Sequence, residues 1–211
     1  MQTEAEKRAA ILAHCHKMNG EGLNQGTSGN ISVRHDGGML ITPSGMPYDV
    51  MTPGDIVVVD AGGGATGGKP SSEWQFHLAI LQNRPELNAV FHAHPTYCTT
   101  LAIHGRDIPA VHYMVAVFGG NSVRCAPYAI YGSAELSDFA VEALKDRKAC
   151  LLAHHGLITA GTSLEQAYWL AGEAEALAQQ YHAALLIGDP PILSDAQIEA
   201  VLQKFDGYGL A

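Results

Sequence analysis

Cations are scarce in this sequence. Twelve Lys and Arg residues stand against 21 Asp and Glu among 211 positions, a formal charge of −9, and they form no basic cluster. Nucleic-acid and membrane-surface binders meet phosphate with a positive stripe, so neither class is expected here. The six lysines all sit in polar or charged neighbourhoods, which disfavours a Schiff-base mechanism needing a desolvated amine. Cysteine is also sparse: Cys15, Cys98, Cys125 and Cys150 are scattered, with no CxxC pair. With no secretory signal in evidence, they read as reduced thiols packed in the interior. No apolar run approaches the roughly 18–20 residues of a membrane span. The opening stretch MQTEAEKRAAILAHCHKM carries both charge signs and reads as a helix, not a leader. Neither a Walker A loop nor a dinucleotide fingerprint occurs.

Histidine, by contrast, is abundant, with 11 copies against 12 Lys plus Arg. The length suffices for a sizeable core, and a single domain over residues 1–211 is expected. A hydrophobic content of 47% with mean hydropathy near zero fits a globular enzyme, expected in the cytoplasm.

Strand-like and helix-like stretches alternate. A first helix is predicted over Thr3–Asn19, with Ile11, Leu12, Cys15 and Met18 on one face. NISVR, GMLIT and DIVVVD read as strands, and DAGGGATGGK (60–69) as a loop. PSSEWQFHLAILQ reads as a helix opened by a Ser72–Gln75 capping box, with Glu73 in its first turn. LNAVFHAHP is a buried strand ending at Pro95, followed by a short helix to about Ile103. IPAVHYMVAVF and ACLLAHHGLITAG are predicted as two further strands, with a helix near 134–147 between them. A long helix starts at Ser163 and Gln166, and a last short one at Ser194 and Gln197. The pattern predicts an α/β layered domain with a mixed or largely antiparallel sheet.

Alternate residues of a strand share a face, so His92 and His94 project together while Ala93 turns away. Two imidazoles so placed can reach one ion, although a bare HxH is more often two hydrogen-bonded polar residues. His154 or His155 offers a third ligand. In a strand they face opposite ways, so only one joins the pair, and Gly156 puts His155 at a rim. Glu73 is the best-placed carboxylate, though alone it reads as a first-turn acid facing the helix dipole. His14 and His16 are two apart on a helix and do not face each other. Cys98 reads as a packing thiol. Three loops, NQGTSGN (24–30), TPSG (42–45) and PSSE (70–73), combine small hydroxyl residues with Gly, Pro or Asn. Each alone is most simply a turn, yet such backbone can hold an anion without lysine.

Eight stretches in order, GLNQGTSGNISVR, GMLITPSGMPY, PSSEWQFH, AVFHAHPTYCT, IPAVHYMVA, FGGNSVRCAPYA, LLAHHGLI and LSDAQIEAVLQKF, resemble the class II aldolase family. The likeness is to the L-fuculose-1-phosphate aldolase type and runs over about residues 5–209. L-Ribulose-5-phosphate 4-epimerase and the 5-deoxyribulose- and 5-methylthioribulose-1-phosphate aldolases are relatives. The resemblance implies a three-layer fold, a central, mainly antiparallel sheet flanked by helices. It implies one zinc ion (Zn2+) per subunit on Glu73, His92, His94 and His155, where His155 and not His154 matches. Cobalt or manganese also suits such N and O donors. It implies a phosphate site from Gly29, Asn30, Ser44, Gly45, Ser71 and Ser72, and a four-fold homotetramer with active sites at its interfaces.

The activity implied is reversible cleavage of a ketose 1-phosphate, L-fuculose 1-phosphate first, into dihydroxyacetone phosphate and a small aldehyde such as L-lactaldehyde. Glu73 is then the base at C3, and Tyr113, from the neighbouring subunit, the acid–base group at the C4 oxygen. Without the resemblance, Tyr113 reads as a core tyrosine of an apolar strand. On the aldehyde side, Tyr131 stands where the fuculose enzyme has phenylalanine, and Phe205 and Tyr208 match residues that close over the site. Ser44 replaces the usual threonine and keeps its hydroxyl. A 5-deoxyribulose- or 5-methylthioribulose-1-phosphate aldolase is the near alternative. The 4-epimerase is disfavoured because it carries aspartate where SSEW has Glu73. A non-catalytic member is disfavoured because all four ligand candidates are present.

Overall fold

The computed structural model describes residues 2–205, so Tyr208 lies outside the described residues. Helix α1 (Glu4–Gly20) is capped reciprocally: the Thr3 hydroxyl accepts the Glu6 N–H, and the Glu6 carboxylate accepts the Thr3 N–H. Four strands follow: β1 (Asn30–His35), β2 (Gly38–Ile41), β3 (Val57–Val59) and β4 (Ala65–Thr66). The last is a two-residue pairing inside the stretch expected to be a loop. Then come α2 (Trp74–Asn83), β5 (Ala89–Ala93), α3 (Thr96–Ile103), β6 (Ile108–Pro109), β7 (Ser122–Ala126) and α4 (Ala134–Ala143). The chain continues through β8 (Ala149–Leu152), β9 (Gly156–Gly161), α5 (Leu164–Ile187) and α6 (Asp195–Phe205).

The strands form one sheet in the order β4-β3-β2-β1-β5-β9-β8-β7-β6, antiparallel throughout except for the β7–β8 pair. This is the expected α/β architecture with a mainly antiparallel central sheet. Strand alternation divides the core in two. Ala89, Phe91 and Ala93 of β5 pack with Cys15, Leu101 and Leu170 from α1, α3 and α5. Val90 packs on the opposite face with Phe76 and Leu136 from α2 and α4. His92 shares the parity of Val90 and therefore belongs to the α2 side.

Three local expectations are corrected. IPAVHYMVAVF is not a strand. Proline carries no N–H for the ladder, and β6 stops at Pro109, whose carbonyl accepts the Val111 N–H (2.7 Å). A 3₁₀ turn over Tyr113–Phe118 follows, capped by the His112 imidazole, which accepts the Met114 N–H. ACLLAHHGLITAG is two strands, not one. β8 and β9 fold back on each other, with Leu152 opposite Gly156 and His154 left-handed at φ 56° in the turn. Helix α2 lacks the Ser72–Gln75 box: Glu73 occupies its cap position without capping, and the buried Gln75 Oε1 has no partner. Glu73 thus precedes the first turn, and its side chain points elsewhere. The caps at α5 and α6 do form. Ser163 Oγ accepts the Gln166 N–H, and Ser194 and Gln197 bond reciprocally.

The thiols of Cys15, Cys98 and Cys150 are buried and unpaired, and Cys125 is half-buried. Among the described residues no helix is long and apolar enough to cross a membrane.

Candidate active site

The end of β5, the β8–β9 turn and the start of α2 meet at one point. His92 is fully buried on β5, and His94 follows just beyond the strand end. His155 comes from the turn before β9, and Glu73 from the cap of α2. The ligand-capable nitrogens of the three histidines lie within 4.8 Å of one another. His94 Nε2 is 3.0 Å from His92 Nε2. Glu73 sits across from them, with Oε2 3.3 Å from His92 Nε2 and Oε1 3.1 Å from His155 Nε2. The expected quartet is brought together, and His155 is the member of the His154–His155 pair that joins it.

The protonation pattern suits a cation. His92 Nδ1 is 2.9 Å from the Leu157 carbonyl, which can only accept, so Nδ1 carries the hydrogen and Nε2 a lone pair. That lone pair faces His94 Nε2, a repulsive arrangement unless a proton or metal ion lies between. Burial pushes the His94 imidazole down to about 3, reinforced by His92 and His155 and opposed by Glu73, which keeps it neutral. Burial alone would raise the Glu73 carboxyl. The facing His92 and His155 outweigh it and hold the group below the usual carboxylate range. Glu73 Oε1 is buried without a hydrogen bond. Three converging imidazoles and an under-satisfied carboxylate are the donor set a borderline divalent metal takes, so this site fits one.

Close packing supports this geometry. A Cβ on Gly156 would come within 2.6 Å of both the Ala93 carbonyl and the His94 ring. A Cβ on Gly29 would lie 2.9 Å from the His92 carbonyl. Asn24 Oδ1 accepts the His94 N–H and the Ser28 hydroxyl, joining the 24–30 loop to the ligand strand.

A cavity of about 450 Å³ opens above the quartet. Gly29 and Asn30, Ser44 and Gly45, and Ser71 and Ser72 line it, so the three candidate anion loops converge. A Pro43–Pro70 bridge and a Ser44 N–H bond to the Lys69 carbonyl join the second loop to the third. Among the described residues no lysine or arginine lines the cavity. Its positive end is instead the start of α2, where backbone N–H groups and the helix dipole favour an anion.

Glu73, His94 and His155 also line the cavity, and Tyr131 stands at its rim, largely exposed. Tyr113 does not line it: it lies in the 3₁₀ turn, 49% exposed, its ring tilted against that of His112. Phe205 ends α6 and packs against the core on the α5 side, also away from the cavity. Sequence reasoning missed Tyr128 on the cavity wall, where it meets His154 edge to face, and the buried His77 of α2. A lone histidine between Phe76 and Leu78 was the available signal for His77.

Residues 9–182 match the family model described as the class II aldolase and adducin N-terminal domain. The chain is 55% identical over 202 residues to an L-fuculose phosphate aldolase of Escherichia coli (strain K12), covering 95% of this chain and 94% of that one. It is 53% identical over 189 residues to a 5-methylthioribulose-1-phosphate/5-deoxyribulose-1-phosphate aldolase of Rhodospirillum rubrum, covering 89% and 86%. A solved structure of an L-fuculose 1-phosphate aldolase superposes with a TM-score of 0.93 at 38% identity, over 98% of each chain.

Proposed function

The chain belongs to the class II aldolase family, and from that premise we propose that it is a zinc-dependent aldolase cleaving a ketose 1-phosphate into dihydroxyacetone phosphate and a small aldehyde. The observation that carries this reading is the convergence of Glu73, His92, His94 and His155 beneath a cavity walled by three anion-holding loops. A divalent ion on those four residues supplies a Lewis acid for the negative charge that C3–C4 cleavage leaves on the three-carbon phosphate.

The chain's own groups do the rest. Gly29, Asn30, Ser44, Gly45, Ser71 and Ser72 hold the phosphate through backbone N–H groups, hydroxyls and an amide, without a lysine. This fixes C3 beside Glu73, whose carboxylate, kept ionised by its surroundings, takes or returns the C3 proton. Tyr113 cannot serve the cavity of its own chain from where it stands. Its exposure, with that of Tyr128, Ile130 and Tyr131, supports a contact with another copy of the chain; in the cytoplasmic homotetramer we propose, Tyr113 reaches a neighbour's site and exchanges a proton with the C4 oxygen. Tyr131 is assigned to the aldehyde side of its own cavity, Phe205 and Tyr208 to the aldehyde side of a neighbour's, as for Tyr113, and the catalytic domain to the whole chain.

L-Fuculose 1-phosphate is the first substrate candidate. The 5-deoxyribulose and 5-methylthioribulose 1-phosphates are the second reading, favoured by the 53% identity to the Rhodospirillum rubrum relative. A kinetic panel of these three ketose phosphates with zinc present tests both. Chelator-sensitive release of aldehyde from one of them is expected. Failure to cleave any of them would defeat the aldolase reading.

A further inference from the structure

His77 is fully buried on α2 and belongs neither to the histidine cluster nor to the cavity lining. Its ring lies against Phe76 (centroids 4.7 Å apart), and both nitrogens are engaged. Nδ1 is 2.8 Å from the Ser32 hydroxyl, and Nε2 is 2.5 Å from Asn30 Oδ1. Asn30 Nδ2 in turn lies 2.9 Å from Glu73 Oε2. The charge on Glu73 sets the direction of this chain. An ionised carboxylate only accepts, so Asn30 must face it with its NH2 group and present Oδ1 to His77. His77 therefore donates from Nε2, and its Nδ1 accepts the Ser32 hydroxyl hydrogen. Only this assignment satisfies every link.

We infer that His77 is a positioning residue for the active site: it locks the Asn30 amide so that Asn30 donates to Glu73 and holds that carboxylate towards His92 and His155. The inference rests on the reading of Glu73 as metal ligand and base. Without the Nε2 donor, Asn30 Oδ1 is left buried with no partner on that side, and the amide is held only by its contact with Glu73. An amide that rotates to satisfy its oxygen takes its NH2 group away from the carboxylate. Asn30 also lines the phosphate cavity, so the same amide orientation governs how the phosphate end and the carboxylate are held.

His77→Leu removes both ring hydrogen bonds, and His77→Gln keeps a donor near the Nε2 position. Zinc affinity, measured by chelator competition, is expected to fall about 10–100-fold in His77→Leu, the usual effect of losing an outer partner of a metal ligand. It should return to within a few-fold of wild type in His77→Gln. Asn30→Ala should cost no further affinity in the His77→Leu background, because both changes break one chain. Undiminished zinc affinity in His77→Leu, or losses that simply add, would overturn the inference.

A second readout needs no metal. In zinc-free protein, the Asn30 side-chain NH2 signals should be protected from hydrogen exchange in wild type and His77→Gln, and unprotected in His77→Leu. Protection that survives His77→Leu also overturns the inference. A wild-type protein that binds no zinc would instead refute the metal reading, and the exchange measurement would still decide the role of His77.

Discussion

Glu175 lies on α5, yet its two carboxylate oxygens accept N–H groups in the first turn of a different helix, those of Tyr97 and Cys98 in α3, each at 2.8 Å. Pro95 stands at the cap position of α3 and offers no side-chain acceptor, so a distant acid takes that role. Glu175→Ala should cost about 1–2 kcal/mol, the usual effect of a lost cap. The shift of the urea midpoint measures it. Because His94 immediately precedes this helix start, zinc retention should weaken in the same variant.

Gly156 is required by contact, since any side chain there overlaps the His94 ring and the Ala93 carbonyl. Gly156→Ala should displace His94 and destabilise the protein by about 1–3 kcal/mol, as overpacking does. Metal analysis of the purified variant should find well under one ion per chain. A fully loaded protein with unchanged melting would contradict this account.

Burial pushes the His77 imidazole down to about 3, with His92 adding to the effect and Glu73 opposing it. In the unfolded chain the same group titrates near 6.5. Between these values the unfolded state holds a proton that the folded state lacks. Stability present above about pH 6.5 is therefore lost as pH falls towards 3, with a slope from this group of up to about 1.4 kcal/mol per pH unit. Urea titrations of zinc-free protein between pH 7.5 and 4.5 should show that slope, reduced by about one proton in His77→Gln. Identical slopes in the two proteins would assign the acid sensitivity elsewhere.

The roles assigned to Glu73 and Tyr113 predict complementation. Glu73→Gln and Tyr113→Phe homo-oligomers should each lose about 10²–10⁴-fold in turnover, the range for removing an acid–base group. Unfolded, mixed in equal amounts and refolded, they should recover about a quarter of wild-type activity, because random assembly pairs an intact Glu73 with an intact neighbouring Tyr113 at that frequency. No recovery would place the action of Tyr113 within its own chain or outside the chemistry.

The paired ligands were legible because a strand has a fixed period. Once LNAVFHAHP reads as a strand, His92 and His94 must share a face, and Val90 and Phe91 show which face is which. The break inside ACLLAHHGLITAG was only partly legible. Gly156 marked an end near His155, but both halves are apolar and buried, so no change of period marks the turn, and the residue that makes it is His154 in a conformation usually left to glycine or asparagine. Tyr113 was misplaced for a related reason: a short apolar run does not distinguish a strand from a 3₁₀ turn. Nor does any local pattern announce that Asn30 and His77, 47 positions apart, complete one hydrogen-bonded chain.

The quartet is also a matter of chain topology. Its members come from separate segments: Glu73 and His92 are 19 positions apart, and His94 and His155 are 61 apart. An ion gripped by all four would close both loops at once, as a crosslink does. Closures of these lengths remove about 3–4 kcal/mol of unfolded-chain entropy each in the simplest crosslink model. Metal supply would then set how long a molecule survives before it unfolds, as well as how fast it turns over. A cell short of the ion would lose the protein itself along with its activity.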